Sequence, residues 1–148
     1  PTLKNVLGSK REEEEKEGIL EDTGAALASL HHDSIIHGRP ALRDITYLDG
    51  KLTFLDWENR MYARDRETLK ALDFLLLLQG ICRENYREEK SRVAAVIRGY
   101  EENGGAPSVE NARHFLKHHS IIGSLVHLLS PFQMKDIESV RKIYDYLK

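Results

Sequence analysis

The stretch HGRPALRDITYLDGKLTFLDWE, residues 37–58, decides the fold because it contains the clearest β-signal of the chain. Its segments 45–48 and 52–55 are apolar and partly β-branched, and Asp49 and Gly50 stand between them. A two-residue Asp-Gly connection favours a type I′ turn, which requires positive φ at both central residues. The sequence therefore predicts one tight antiparallel hairpin.

Outside this hairpin the chain is predicted to be helical, apart from a loop at 34–43 that contains glycine and proline. Leucines at helical spacing indicate a helix at 18–31, preceded by a charge run at 10–17 that is expected to be a solvated helix end or loop. After the hairpin, the sequence predicts a helix from about 66 that is buried on all sides, followed by helices at 93–100 and 109–129. A capping box at 130–133 then starts a last helix, whose inner face is predicted to contain Ile137, Val140, Tyr144 and Leu147. The fold class is thus mainly α with one β-hairpin.

Composition narrows the class of protein. A length of 148 residues predicts a single domain over 1–148, with a loop and hairpin region at 31–60 and a helical region at 64–148. A net charge of −2 argues against nucleic acid as a partner. The single cysteine excludes an internal disulfide and predicts a cytoplasmic protein, and no apolar run approaches the ~20 residues of a transmembrane helix.

Two carboxylates flank the hairpin: Asp44 enters it and Asp56 leaves it. Because the ends of a hairpin meet, both side chains are expected close together, where they are suited to hold Mg²⁺ or Mn²⁺. Arg39 lies just before them and is suited to pair with phosphate. The alternative is structural: Asp44 accepts backbone hydrogen bonds in a turn, and Asp56 pairs with Arg43 or Arg60 on the surface.

With these residues the sequence resembles the protein-kinase-like phosphotransferases, in the branch of aminoglycoside phosphotransferases and lipopolysaccharide core (Kdo/heptose) kinases. The catalytic loop of that branch reads roughly HGD-L-H-P-G-N-I and is followed by a short hairpin and D-[FW]-[DE]. His37, Gly38 and Ile45 match the loop, and Asp-Trp-Glu at 56–58 matches the metal-binding motif. The loop HGRPALRD is similar to that of a bacterial kinase-like subgroup, and the resemblance covers most of residues 1–100.

The resemblance implies an ATP-dependent phosphotransferase acting on a hydroxyl acceptor of a sugar, a lipopolysaccharide-type molecule or a protein. It implies that Asp44 and Asp56 hold the Mg²⁺ or Mn²⁺ of ATP, that His37 shapes the loop, and that Asp73 braces it. Two residues depart from the family pattern. Arg39 stands where the family has its catalytic aspartate, and Asp44 where it has the metal-binding asparagine. A guanidinium cannot accept a proton, so Arg39 is assigned a contact to phosphate or substrate.

The resemblance also implies that the small N-terminal lobe of the kinase fold is absent. The sequence contains no glycine-rich phosphate loop, no β3 lysine and no partner glutamate, and residues 1–7 are similar to the segment that follows a kinase hinge. A large lobe alone is expected to be catalytically poor. It is also expected to expose apolar surface, which predicts a partner or a homo-oligomer, while peripheral membrane association stays open.

Two other classes of function stay open. Arg39 at the position of the catalytic aspartate is what a catalytically degenerate pseudokinase or protein-interaction module would contain. A plain helical scaffold predicts that replacing Asp44 or Asp56 changes nothing beyond stability.

Several further residues carry weaker signals. His114 and His118 have the i, i+4 spacing of zinc ligands but lack an evident third ligand. His31 belongs to a polar group that closes a helix, where it suits the helix dipole. Cys82 is expected to be inert core. Trp57 is expected to pack rather than to stack on a base or sugar.

Overall fold

A computed structural model describes residues 1–58, 65–118 and 134–148. The fold is mainly helical with one two-stranded antiparallel hairpin, as predicted. Within these ranges no helix has both the length and the apolar character needed to cross a membrane. In chain order the elements are α1 (Leu3–Leu7), α2 (Glu13–His32), β1 (Ile45–Leu48), β2 (Lys51–Phe54), α3 (Arg66–Arg83), α4 (Glu89–Tyr100), α5 (Ala106–His118) and α6 (Met134–Leu147).

The hairpin has the turn that its sequence predicts. Leu48 pairs with Lys51, which leaves Asp49 and Gly50 as the two turn residues, with φ of 49° and 78°. Both values are positive, as a type I′ turn requires. The second strand begins at Lys51 rather than at the predicted Leu52, because a two-residue turn brings the residues on either side of it into register.

The start of the chain forms a short helix that the sequence analysis did not predict. Thr2 caps α1: its hydroxyl accepts from the backbone N–H of Asn5, and the Asn5 side chain accepts from the backbone N–H of Thr2. Thr2 also forms an antiparallel bridge to Thr46 of β1. The N–H of Lys4 donates to the carbonyl of Leu42 at 3.2 Å. This segment therefore fastens the hairpin to the helical body.

Helix α2 begins earlier than predicted, at Glu13 rather than at Gly18. Glutamates in its first turn complement the partial positive charge of the helix N-terminus. Glu13 also pairs with Arg92 of α4, at 2.5 Å from Nε and 2.9 Å from Nη2. Much of the charge run thus lies inside a helix, and Lys16 within it is only 7% exposed.

Helices α2 and α4 approach each other closely at two glycines. A Cβ on Gly24 would lie 2.2 Å from the carbonyl oxygen of Val96, and a Cβ on Gly99 would lie 1.9 Å from that of Glu21. Neither position has room for a side chain. This close contact brings the end of α2 beside the end of α4, where Tyr100 lies.

The centre of the core is α3, in which every residue from Ala71 to Gln79 is buried. The predicted burial on all sides is confirmed for this stretch. Phe74 stacks on Tyr100 of α4, with ring centroids 4.5 Å apart. Asp73 is a charged residue in the middle of this apolar run and is 1% exposed.

The C-terminal helices agree in part with the prediction. Helix α4 ends at Tyr100 and is followed by a π-turn in which Gly104 has φ of 96°. The inner face of α6 includes Val140 and Leu147, as predicted, but Ile143 is buried where the half-buried Tyr144 was expected. The predicted continuation of α5 beyond 118, the capping box at 130–133 and the side chain of Ile137 lie outside the described residues.

Candidate functional site

Asp73 lies beneath the loop that precedes the hairpin and binds the backbone of that loop. Its Oδ2 accepts from the N–H of His37 at 2.7 Å, and its Oδ1 accepts from the N–H of Gly38 at 2.8 Å. The same Oδ2 lies 3.1 Å from Nε2 of His31. Hydrogen bonds to an ionised carboxylate are among the stronger ones in proteins. The buried helix therefore determines the position of the loop.

His31 is part of this network, which the sequence analysis missed when it treated the residue as a helix-closing group. It is 4% exposed, and its Nδ1 lies 2.6 Å from the hydroxyl of Tyr100. Since the Asp73 carboxylate only accepts, the proton is assigned to Nε2, and Tyr100 donates to Nδ1. Burial raises the pKa of Tyr100 to about 12, so its hydroxyl stays protonated. Helical spacing could have indicated the burial of His31, because this residue follows the buried Leu27 at i+4 and so lies on the same face of α2.

His37 connects the loop to Leu55, the residue that follows the second strand of the hairpin. Its side chain is fully buried. Its Nε2 lies 2.8 Å from the carbonyl oxygen of Leu55 and therefore carries the proton, while its Nδ1 accepts from the backbone N–H of Arg39 at 3.2 Å. These contacts are those of a residue that shapes the loop.

Gly38 is required by the contact between the loop and the Asp-Trp-Glu segment. Its φ is 94°, and a Cβ at this position would lie 2.0 Å from the carbonyl oxygen of Glu58. The N–H of Glu58 donates to the carbonyl of His37 at 3.0 Å. Only glycine combines this φ with this close approach. The two motifs that the sequence analysis singled out are thus in direct contact.

The structure places Asp44 and Asp56 at the same end of the hairpin. The N–H of Leu55 donates to the carbonyl of Asp44 at 2.7 Å, which extends the ladder beyond the pair Ile45 and Phe54. Asp56 follows directly, with an exposed side chain and φ of 53°. A non-glycine residue in this left-handed region is under strain of a kind that clusters at functional sites.

Asp44 has a buried oxygen that accepts no hydrogen bond from the described residues. The residue is 6% exposed, and its Oδ2 has no hydrogen-bond partner within the described part of the chain. Nη2 of Arg39 lies 3.8 Å from Oδ2, and Nε of Arg43 lies 3.6 Å from Oδ1. A buried carboxylate oxygen that accepts no hydrogen bond is costly, even with a guanidinium 3.8 Å away. This oxygen is therefore available to a bound cation.

Arg39 lies between Asp44 and Glu58. Its Nε is 2.8 Å from Oε1 of Glu58, but the pair does not meet the angular requirement of a hydrogen bond. Glu58 as the partner of Arg39 was not predicted, and its place in the Asp-Trp-Glu motif was the available signal. Arg43, one of the surface partners considered for Asp56, lies against Asp44 instead. Arg60, the other, lies outside the described residues.

Two large exposed apolar residues, Leu55 and Trp57, stand on either side of Asp56 in the chain. Trp57 is 49% exposed, with its ring 4.7 Å from that of His37 and its Nε1 donating to the carbonyl of Phe54 at 3.1 Å. Trp57 therefore packs against His37 while about half of the residue stays exposed. Elsewhere in the described ranges, Ile35 and Leu48 are also large, apolar and exposed, and Leu48 lies beside the turn at the other end of the hairpin. The partner or homo-oligomer that an exposed apolar surface predicts stays a prediction.

No group of three or more histidine, cysteine, aspartate or glutamate side chains that could hold a metal occurs within 1–58, 65–118 and 134–148. The rings of His114 and His118 lie 4.2 Å apart and gain no third ligand in those ranges. A pair such as Asp44 and Asp56 suits Mg²⁺, which usually binds one or two carboxylates and fills its other positions with water and phosphate oxygens.

Cys82 is 1% exposed in α3. Burial raises the pKa of its thiol to about 12. The thiolate is the reactive form of cysteine, so this residue has the properties of an inert core side chain.

Comparison with known proteins identifies a similar protein whose function is not described. The chain is 31% identical, over 134 residues, to an uncharacterized protein of Haemophilus influenzae. The alignment covers 90% of the chain and 55% of that protein, so the chain spans about half the length of this relative. No family model matches the sequence, and no solved structure matches it.

Proposed function

We propose that the chain is the large C-terminal lobe of a kinase-like phosphotransferase and binds ATP with Mg²⁺ or Mn²⁺ through Asp44 and Asp56. The observation that carries this proposal is the buried Oδ2 of Asp44, which has no hydrogen-bond partner among the described residues. A divalent cation would satisfy this oxygen and offset the cost of its burial.

The charge around the site supports a cation. Among the described residues, Asp44, Asp56 and Glu58 place carboxylates at this end of the hairpin. The guanidinium of Arg39 lies against Asp44 and Glu58, and that of Arg43 lies against Asp44. The Asp44 residue is only 6% exposed, and a negative charge that is shielded from water attracts a positive ion more strongly than a solvated one. When bound, the metal would neutralise phosphate oxygens during transfer to a hydroxyl acceptor.

The hydrogen bonds beneath the site support a function in which the residues of the loop must be held in defined positions. Asp73 holds the backbone of His37 and Gly38, and His37 holds the end of β2. Phosphoryl transfer depends mainly on positioned groups and on electrostatic stabilisation. The acceptor in this proposal is a hydroxyl of a sugar, a lipopolysaccharide-type molecule or a protein.

A second candidate, a pseudokinase that binds nucleotide without transferring phosphate, is favoured by Arg39. Its guanidinium occupies the space between Asp44 and Glu58 and cannot accept the proton of an acceptor hydroxyl. The variant Arg39→Asp separates the two candidates. Phosphate transfer from ATP that appears only in this variant favours the pseudokinase, and transfer by the wild type favours the enzyme.

Thermal unfolding with and without Mn²⁺–ATP tests the site. A ligand that binds only the folded state raises the unfolding midpoint, and at 100 times Kd the stabilisation is about 2.7 kcal/mol. We expect this rise in the wild type and its loss in Asp44→Asn and Asp56→Asn. Asp49→Asn is the matched control, because Asp49 lies at the tip of the same hairpin with a similar φ of 49°. No rise in the wild type, or an equal rise in all four proteins, contradicts the proposal.

A further inference from the structure

Arg39 stands at the proposed cation site and contacts its carboxylates through ion pairs that lack hydrogen-bond geometry. Its Nε lies 2.8 Å from Glu58 without hydrogen-bond geometry, and its Nη2 lies 3.8 Å from Oδ2 of Asp44. The side chain is 34% exposed, so it has solvent into which it can move. Ion pairs of this kind lack the two parallel hydrogen bonds that strengthen a bidentate arginine–carboxylate pair.

The two arginines beside Asp44 differ in a way that separates their roles. Arg39 faces Oδ2, which is buried and accepts no hydrogen bond from the described residues, whereas Arg43 lies 3.6 Å from Oδ1 and has a side chain that is 66% exposed. A cation that binds Oδ2 therefore meets the guanidinium of Arg39 directly. It meets Arg43 only across the carboxylate and through solvent, which screens the interaction.

We infer that Arg39 is a displaceable cation at the metal site, an inference that rests on the proposed function. Without metal, its guanidinium offsets the charge of Asp44 and Glu58. A divalent cation on Oδ2 of Asp44 takes over this role and repels the guanidinium, which is then released to pair with a phosphate group of the nucleotide.

The chemistry of the side chain fits both states. A guanidinium presents a planar fork of N–H donors that matches two phosphate oxygens, and its charge persists in either position. In the metal-bound state, both the metal and the released Arg39 guanidinium would be available to the phosphates. In the metal-free state, Arg39 is the positive group, and it is paired with carboxylates. By linkage, the cation and the phosphate strengthen the binding of each other.

Binding of Mn²⁺ alone, followed by the electron paramagnetic resonance signal of free Mn²⁺, tests the first half. The proteins are the wild-type chain, Arg39→Gln and, as the matched control, Arg43→Gln. We expect Arg39→Gln to bind Mn²⁺ more tightly by on the order of tenfold, since a like charge about 4 Å away is removed. We expect Arg43→Gln to change the affinity by less than about threefold, because solvent screens its charge.

Binding of inorganic pyrophosphate at saturating Mn²⁺, measured by calorimetry, tests the second half. Arg39→Gln is expected to weaken this binding by on the order of tenfold, the loss of one charge-assisted contact. Arg43→Gln is expected to leave it within about threefold. A gain in Mn²⁺ affinity combined with a loss in pyrophosphate affinity is the signature of displacement. A residue that only stabilises the loop would weaken both.

Three results overturn the inference. They are equal Mn²⁺ affinity in wild type and Arg39→Gln, equal shifts in the two arginine variants, and unchanged pyrophosphate affinity in Arg39→Gln. If neither the wild type nor Arg39→Gln binds Mn²⁺, the proposed function itself fails. Unfolding midpoints of both variants close to that of the wild type show that the changes arise at the site.

Discussion

Asp73 on the buried helix α3 accepts a 2.7 Å hydrogen bond from the backbone N–H of His37, a residue 36 positions earlier in the chain. Its other oxygen accepts from the next N–H, that of Gly38. A single carboxylate of the helical core thus holds two backbone N–H groups of the loop that contains the candidate site. This relationship leads to the first of four predictions.

Replacing Asp73 by asparagine should destabilise the fold. The amide keeps one acceptor oxygen, but its NH₂ group then faces a donor, so at least one buried N–H loses its partner. Such a loss costs about 1–3 kcal/mol, and urea denaturation measures it. The control is Asp22→Asn on α2, where Asp22 is exposed. A similar free energy of unfolding for both variants would contradict the role assigned to Asp73.

Gly38→Ala should be much more harmful than Gly50→Ala. Both glycines have positive φ, at 94° and 78°, so alanine is strained at each. A Cβ at position 38 would also lie 2.0 Å from the carbonyl of Glu58, whereas a Cβ at position 50 meets no atom within 4 Å. We expect Gly50→Ala to lose about 1–2 kcal/mol of stability and Gly38→Ala to lose clearly more. Equal losses in chemical denaturation would show that the close contact with Glu58 carries no cost.

Alanine at two helical glycines should have opposite effects. A Cβ on Gly99 would lie 1.9 Å from the carbonyl of Glu21, so Gly99→Ala must separate α2 from α4. Gly18 is exposed within α2 and has no atom within 4 Å of a Cβ, so Gly18→Ala should stabilise by about 0.5–1 kcal/mol. Gly99→Ala should destabilise by several times that amount, as overpacking does. Thermal unfolding of the two variants checks the signs, and stabilisation by both would refute the close approach of the helices.

Glu13 should contribute to the loss of stability in acid. Its hydrogen bond to Arg92 holds the pKa of Glu13 below its usual 4.5. Because the folded-state pKa is the lower one, this contribution is complete above about pH 4.5 and is lost as the pH falls through the folded-state pKa. Unfolding free energies of wild type and Glu13→Gln between pH 7 and pH 3 measure it.

The difference in stability between wild type and Glu13→Gln should shrink as the pH falls below about 4.5. Glu14→Gln is the control, since Glu14 is an exposed neighbour in the same helical turn. A difference that stays constant across the whole range would mean that ionisation of Glu13 is not coupled to folding.

The sequence by itself determined the features that depend on neighbouring residues. Asp49-Gly50 specifies the type I′ turn because few residues tolerate positive φ. The apolar run around Phe74 specifies a helix that must be buried. A hairpin brings its own ends together, so the placement of Asp44 and Asp56 at one end of it also follows from local geometry.

Only the tertiary structure decided the contacts between residues far apart in the chain. His31 joins Asp73 and Tyr100, Glu58 joins Arg39, and Glu13 joins Arg92. None of these pairs has a local spacing that selects the partner, because a polar side chain satisfies its hydrogen bonds equally well with water until packing removes the water. The packing of α2 against α4 removes water from Glu13 and Arg92, and the packing of the loop and of α2 against α3 joins His31, Asp73 and Tyr100 in one network beneath the loop.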